Sequence, residues 1–116
     1  MPVLHIITNV PTDTVNNSDT LTALSKAMVE GVGKPEQYVL VTVDSGKPVM
    51  FAGTEEPAAF GELFSIGAIG GDKNKQISKI ISDVVSSKLG VPSDRFYLSF
   101  HDAARADFGW KGSTFA

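Results

Sequence analysis

The chain has 116 residues, with 10 Lys and Arg against 13 Asp and Glu, a formal charge of −3 and no Cys. With 42% hydrophobic and 20% charged residues, the composition is that of one globular domain over residues 1–116, neither disordered nor membrane-spanning. The acidic balance and the lack of a basic cluster exclude nucleic acid as an expected partner, and the absence of Cys removes disulfides, thiolate chemistry and Cys-based metal sites.

In chain order, Val3 to Thr8 is apolar and β-branched, with Asn9, Pro11 and Asp13 after it, which reads as a buried strand and a turn. From Ser18 the period changes: Leu21, Leu24, Met28 and Val32 recur at three- and four-residue spacing. Asn17 or Ser18 serves as N-cap, and Gly33 then Pro35 stop this amphipathic helix. Residues 37–44 alternate as a second strand, and Asp44-Ser45-Gly46 turns the chain into a short strand at 48–51. Residues 60–69 read as a further strand ending in Gly70-Gly71. Asp72 then caps a second helix with Ile77, Ile80, Ile81, Val84, Val85 and Leu89 on one broad face, ended by Gly90 and Pro92. Residues 95–101 alternate again as a strand.

An internal echo organises these elements. Gly33-Lys34-Pro35-Glu36-Gln37-Tyr38-Val39 resembles Gly90-Val91-Pro92-Ser93-Asp94-Arg95-Phe96, so each half reads strand, helix, Gly-x-Pro, strand, with pseudo-repeats of about 1–56 and 57–116. The expected fold class is α+β: two βαβ repeats in one four-stranded sheet, two helices on one face, and right-handed crossovers that make each half's strands parallel. The other face also carries apolar residues, so another subunit is expected to cover it. A chain of this size buries roughly 60–70% of its unfolded surface, and a concave site is therefore expected to use a partner copy as well. No apolar run reaches the about 18 residues that span a bilayer, and the start has no cationic region before an apolar stretch. A soluble cytoplasmic protein without a membrane partner is the expectation.

Most motif chemistry is absent. His5 and His101 are far apart and lack metal-ligand spacing, the glycines fit no nucleotide-loop register, and no GxSxG elbow supports a Ser/His/Asp triad. Pro2 differs, because removal of Met1 ahead of a small second residue exposes a secondary amine. An α-amine titrates near about 8 in the open; burial or a neighbouring cation lowers that value and leaves a free base at neutral pH. Such a base can take a proton α to a carbonyl.

Met1-Pro2, Thr8-Asn9-Val10-Pro11, Gly33-Lys34-Pro35, Gln37-Tyr38, Glu56-Pro57, Ser65-Ile66-Gly67, Ile69-Gly70-Gly71, Asp94-Arg95-Phe96-Tyr97, Gly109-Trp110 and the terminal Ser113-Thr114-Phe115-Ala116 together resemble the macrophage migration inhibitory factor family of the tautomerase superfamily, end to end. The resemblance implies a homotrimer of βαβ repeats in which three sheets form a barrel wrapped by six helices. It also implies cofactor-independent keto–enol tautomerisation of small aromatic 2-keto acids, such as phenylpyruvate, and of dopachrome-like substrates, with Pro2 as the base. Lys34 matches the lysine that holds the substrate carboxylate, and Ile66 the residue whose backbone touches substrate. Tyr38, Tyr97, Trp110 and Phe115 match pocket walls, Tyr97 and Ser99 being contributed by the adjacent subunit. Two positions depart from the best-known mammalian pattern: Ser99 stands where an Asn bonds substrate, and Phe108 replaces a smaller residue at the pocket mouth. Ala58 and Gly61 occupy the positions of that pattern's CxxC, so its thiol chemistry is excluded here. The alternative the resemblance offers is a secreted ligand for a cell-surface receptor, exported by a route without a signal peptide.

Overall fold

The computed structural model describes residues 1–116. Two βαβ units follow each other: β1 (Val3–Thr8), α1 (Asn17–Val32) and β2 (Leu40–Asp44), then β3 (Ala59–Ser65), α2 (Gly71–Leu89) and β4 (Phe96–Asp102). They share one sheet in the order β2-β1-β3-β4, with β1 parallel to β2, β3 parallel to β4, and the central pair β1 and β3 antiparallel. A separate hairpin, β5 (Gly109–Trp110) with β6 (Ser113–Thr114), closes the chain. No helix is long and apolar enough to cross a membrane.

The alternation along β1 decides which face is the core. Leu4 and Ile6 are fully buried, and with Leu63 of β3 they belong to one apolar cluster with Leu24 and Met28 of α1 and Ile77 and Ile81 of α2. The helices pack closely: a Cβ added at Gly31 would stand 3.3 Å from Cγ1 of Ile77. Both helices end alike, with Gly33 and Gly90 in the left-handed conformation at φ 78° and 69°. Each donates its N–H to the carbonyl four residues back. Pro35 and Pro92 then lead into matching 3₁₀ turns, Glu36–Tyr38 and Ser93–Arg95.

Several expected boundaries move. The first helix is capped by Asn16, whose Oδ1 accepts from the Asp19 N–H at 3.1 Å, rather than by Asn17 or Ser18. Asp72 is not the second cap: Gly70 holds that position, and Asp72 lies in the first turn, where the helix dipole favours its carboxylate. The strand expected at 60–69 ends at Ser65, because Gly67 and Ala68 both take positive φ and turn the chain out of the ladder. The strand expected at 37–44 begins only at Leu40, its first residues forming the 3₁₀ turn. The last main strand runs from Phe96 to Asp102, because Arg95 closes the preceding turn.

No strand forms at 48–51; a single bridge joins Phe51 to Thr54. Side chains hold this loop instead of a ladder. Asn9 Nδ2 donates to the carbonyls of Glu55 and Glu56 at 3.0 and 3.1 Å, and its Oδ1 accepts from the Ala58 N–H. The Arg95 guanidinium donates to the carbonyls of Phe51, Thr54, Glu56 and Pro57.

Candidate active site

Four separate pieces of chain meet at a pocket of about 330 Å³. The amino terminus is brought there by β1: Pro2 is buried, and its carbonyl accepts the Leu40 N–H at 3.1 Å, which fixes where Met1 emerges. The left-handed turn at Gly33 delivers Lys34, and Pro35, with φ locked near −59°, sets the turn that presents Tyr38. Ile66 follows β3 in a bend tied to the end of β4, since Ser65 O accepts from Ala103 N–H and Asp102 Oδ1 from Gly67 N–H, both at 2.9 Å. The C-terminal segment folds back so that Phe115 N–H reaches the carbonyls of Arg105 and Phe108, each at 3.2 Å, and Arg105, Trp110 and Phe115 complete the lining.

The aromatic wall is continuous. Trp110 stacks on Phe115 at 5.6 Å with 8° between planes and meets Tyr38 edge-on at 5.8 Å. Such offset and edge-to-face contacts favour a flat, apolar guest between them. The charged side chains of the lining, Lys34 and Arg105, are both cationic, the terminal residue Met1 joins them, and no carboxylate is among the lining residues. Partial burial of the Met1 amine strips away water, and the Lys34 charge opposes a second positive charge. Together these hold the amine's pKa below its ordinary value of 8.0. The arrangement suits an anion with an apolar body, next to a nitrogen that gives up its proton readily.

The expected residues separate into two groups. Lys34, Tyr38, Ile66, Trp110 and Phe115 line this pocket together, and Pro2 lies directly behind Met1. Phe108 stands one ring further out, edge-on to Phe115 at 6.5 Å. Tyr97 and Ser99 are elsewhere, on β4 with their side chains on the sheet face turned away from the helices. Ser99 Oγ lies 3.1 Å from His101 Nε2, and Glu62 Oε2 lies 3.5 Å from the same nitrogen. Because both contacts fall on one nitrogen, these three residues cannot relay a proton as a triad would. Arg105 was not expected in the lining. Its 3₁₀ turn, Arg105–Asp107, is tied to the wall by the hydrogen bond from Phe115 N–H to Arg105 O, a long-range link that local sequence does not announce.

Two βαβ repeats in one mixed sheet, with a cation-lined pocket beside the amino terminus, define the tautomerase-type α+β fold. The family model described as macrophage migration inhibitory factor (MIF) matches residues 1–116. A macrophage migration inhibitory factor homologue of Trichuris trichiura is 40% identical over 99% of this chain and 100% of its own. The mouse factor is 39% identical over the full length of both. Among solved structures, the homologue from Prochlorococcus marinus superposes with a TM-score of 0.93 at 36% identity, covering 98% of this chain and 99% of its own. The Trichinella spiralis factor superposes with a TM-score of 0.93 at 35% identity, covering 97% and 99%. The chain belongs to the macrophage migration inhibitory factor family.

Proposed function

We propose that this protein is a cofactor-independent keto–enol tautomerase for phenylpyruvate-like and dopachrome-like substrates, with Pro2 as general base once Met1 is removed. The observation that carries this reading is the meeting of the terminal amine with the Lys34 ammonium inside one aromatic-walled pocket. Lys34 holds the substrate carboxylate and the rings of Tyr38, Trp110 and Phe115 hold its aromatic body. The unprotonated Pro2 nitrogen takes a proton from the carbon α to the ketone, the electron pair moves onto the carbonyl oxygen, and the proton returns to that oxygen to give the enol. In the ketone-forming direction the steps reverse. Tyr97 and Ser99 act from the adjacent copy of a homotrimer in this reading.

The test begins with an intact mass showing that Met1 is gone. The same sample should then interconvert enol and keto phenylpyruvate at a rate that drops by at least about 100-fold in Pro2→Gly, the scale of a lost general base. Equal rates in the two proteins would remove Pro2 from the mechanism. The name shared by the relatives supports a second reading, a secreted signalling ligand. Inhibition of macrophage migration that survives Pro2→Gly would assign that role to the surface rather than to the base.

A further inference from the structure

The chain's cations are not distributed evenly between those that have partners and those that do not. Of the ten Lys and Arg side chains, seven hold a carboxylate or a backbone carbonyl of the chain. An eighth, Lys111, lies 4.5 Å over the Trp110 ring. The remaining two are Lys34 and Arg105, and both line the same pocket. Asp107, in the same 3₁₀ turn as Arg105, makes no ion pair with it and does not line the pocket. One monocarboxylate is satisfied by one ammonium, so a tautomerase of simple aryl pyruvates has no use for the second charge. An unpaired guanidinium beside Trp110 and Phe115 is a fork of donors shaped for a second carboxylate.

We infer that Arg105 is a specificity-determining residue, and that the favoured substrates are dianionic: 2-keto acids with a second acidic group on the end of the molecule remote from the keto acid. Lys34 takes the carboxylate next to the ketone, and Arg105 takes the remote one within the pocket that both residues line with Tyr38, Trp110 and Phe115. The inference rests on the tautomerase reading for its keto acid but not for its charge pattern, and the two are tested separately.

Binding is read first, without turnover, from the fluorescence of Trp110, the single Trp of the chain and a residue of the pocket wall. The probes are phenylacetate and 4-carboxyphenylacetate, which differ only in the second carboxylate and have no ketone. The diacid is expected to bind about tenfold or more tightly than the monoacid, and Arg105→Gln to abolish that ratio, as the loss of a charge-assisted contact requires. Arg105→Lys should restore part of it, and raising the salt concentration should shrink it. Thermal melting checks that the variants remain folded, as expected for a side chain with no partner in the chain. Kinetics follow with phenylpyruvate and 4-carboxyphenylpyruvate, where Arg105→Gln should raise KM for the diacid more than it lowers kcat. Equal weakening of both acids by Arg105→Gln would mean that Arg105 shares the first carboxylate with Lys34 and would overturn the inference. So would a wild-type protein that binds the two acids equally. A preserved diacid ratio with no tautomerisation would instead overturn only the Pro2 mechanism.

Discussion

Lys34 has two effects in this site that separate by pH. Its charge attracts the substrate anion, and it also adds to burial in lowering the pKa of the Met1 amine; in the proposed mechanism the Pro2 amine exposed by Met1 removal meets the same cation. A depressed base is unprotonated at lower pH, so the rate should rise with pH along a limb lying below the ordinary α-amine range and level off above it. Lys34→Gln removes the cation while the burial stays. The limb should therefore move to higher pH, towards the value of a free amine, while KM for phenylpyruvate rises by about tenfold or more. A pH–rate profile of kcat/KM on mass-verified protein checks both, and an unmoved limb would leave Lys34 with anchoring alone. Pro2 and Lys34 stand out in the sequence through the family resemblance rather than through position alone, and the structure brings Lys34 and the residue ahead of Pro2 into one pocket. Arg105 does not stand out there, because what makes it notable is the lack of any partner, and that exists only once every other cation has found one. Gly61 shows the same limit. A Cβ there would stand 3.0 Å from Leu98 Cδ1 and 3.2 Å from Phe96 Cε1, so the space beside Gly61 is already filled by neighbours on β4, which only the packed sheet reveals.

At the scale of elements, the two helices and the repeat were readable because their signals are local and redundant. Apolar spacing, a left-handed Gly and a following Pro agree in each half, and the structure places Pro35 and Pro92 at nearly the same φ, −59° and −60°. The strand edges were less readable, since a strand stops where its neighbour stops pairing or where φ turns positive, as at Gly67 and Ala68. The loop before β3 was misread as containing a strand because its order comes from distant side chains. Asn9, just after β1, and Arg95, just before β4, clamp its carbonyls together at one end of the sheet, where Thr8, Ala59 and Phe96 stand in register. Arg95 is therefore a positioning residue for the loop. Arg95→Gln should cost about 1–2 kcal/mol, the range of a few partly solvated charge-assisted hydrogen bonds. Denaturant unfolding measures that loss, and limited proteolysis should cut first within residues 51–57. Cleavage beginning in the C-terminal hairpin would show that the clamp is dispensable.

As a whole molecule, the chain is unfinished on one side. Its Cα radius of gyration is 14.3 Å against about 13.4 Å for a compact domain of this length, and only 21 of its residues are buried. The sheet face away from the helices has three rows in register. Leu40, Val3, Phe64 and His101 form one, Thr42, His5, Glu62 and Ser99 the middle one, and Asp44, Ile7, Phe60 and Tyr97 the third. Apolar side chains dominate the outer rows, with Leu40 55%, Phe60 40% and Tyr97 68% exposed. Large residues in that state favour association, and β2 and β4 at the sheet edges offer further copies unpaired backbone groups. The proposed homotrimer covers this face, and it also brings Tyr97 and Ser99, which do not line the chain's own pocket, to a neighbour's. Phe60 lies between Ile7 and Tyr97 and points away from the core, so Phe60→Asp should leave the fold and its circular dichroism intact while placing a charge in the contact. Sedimentation should show the wild type at three times the 12.3 kDa chain mass and the variant at the mass of one chain. Turnover should fall in the variant more than binding of phenylacetate to the Lys34 pocket, because the pocket's own walls persist while the neighbour's Tyr97 and Ser99 are gone. A wild-type protein that sediments as one chain, or a monomeric variant with full turnover, would place the complete site within a single copy.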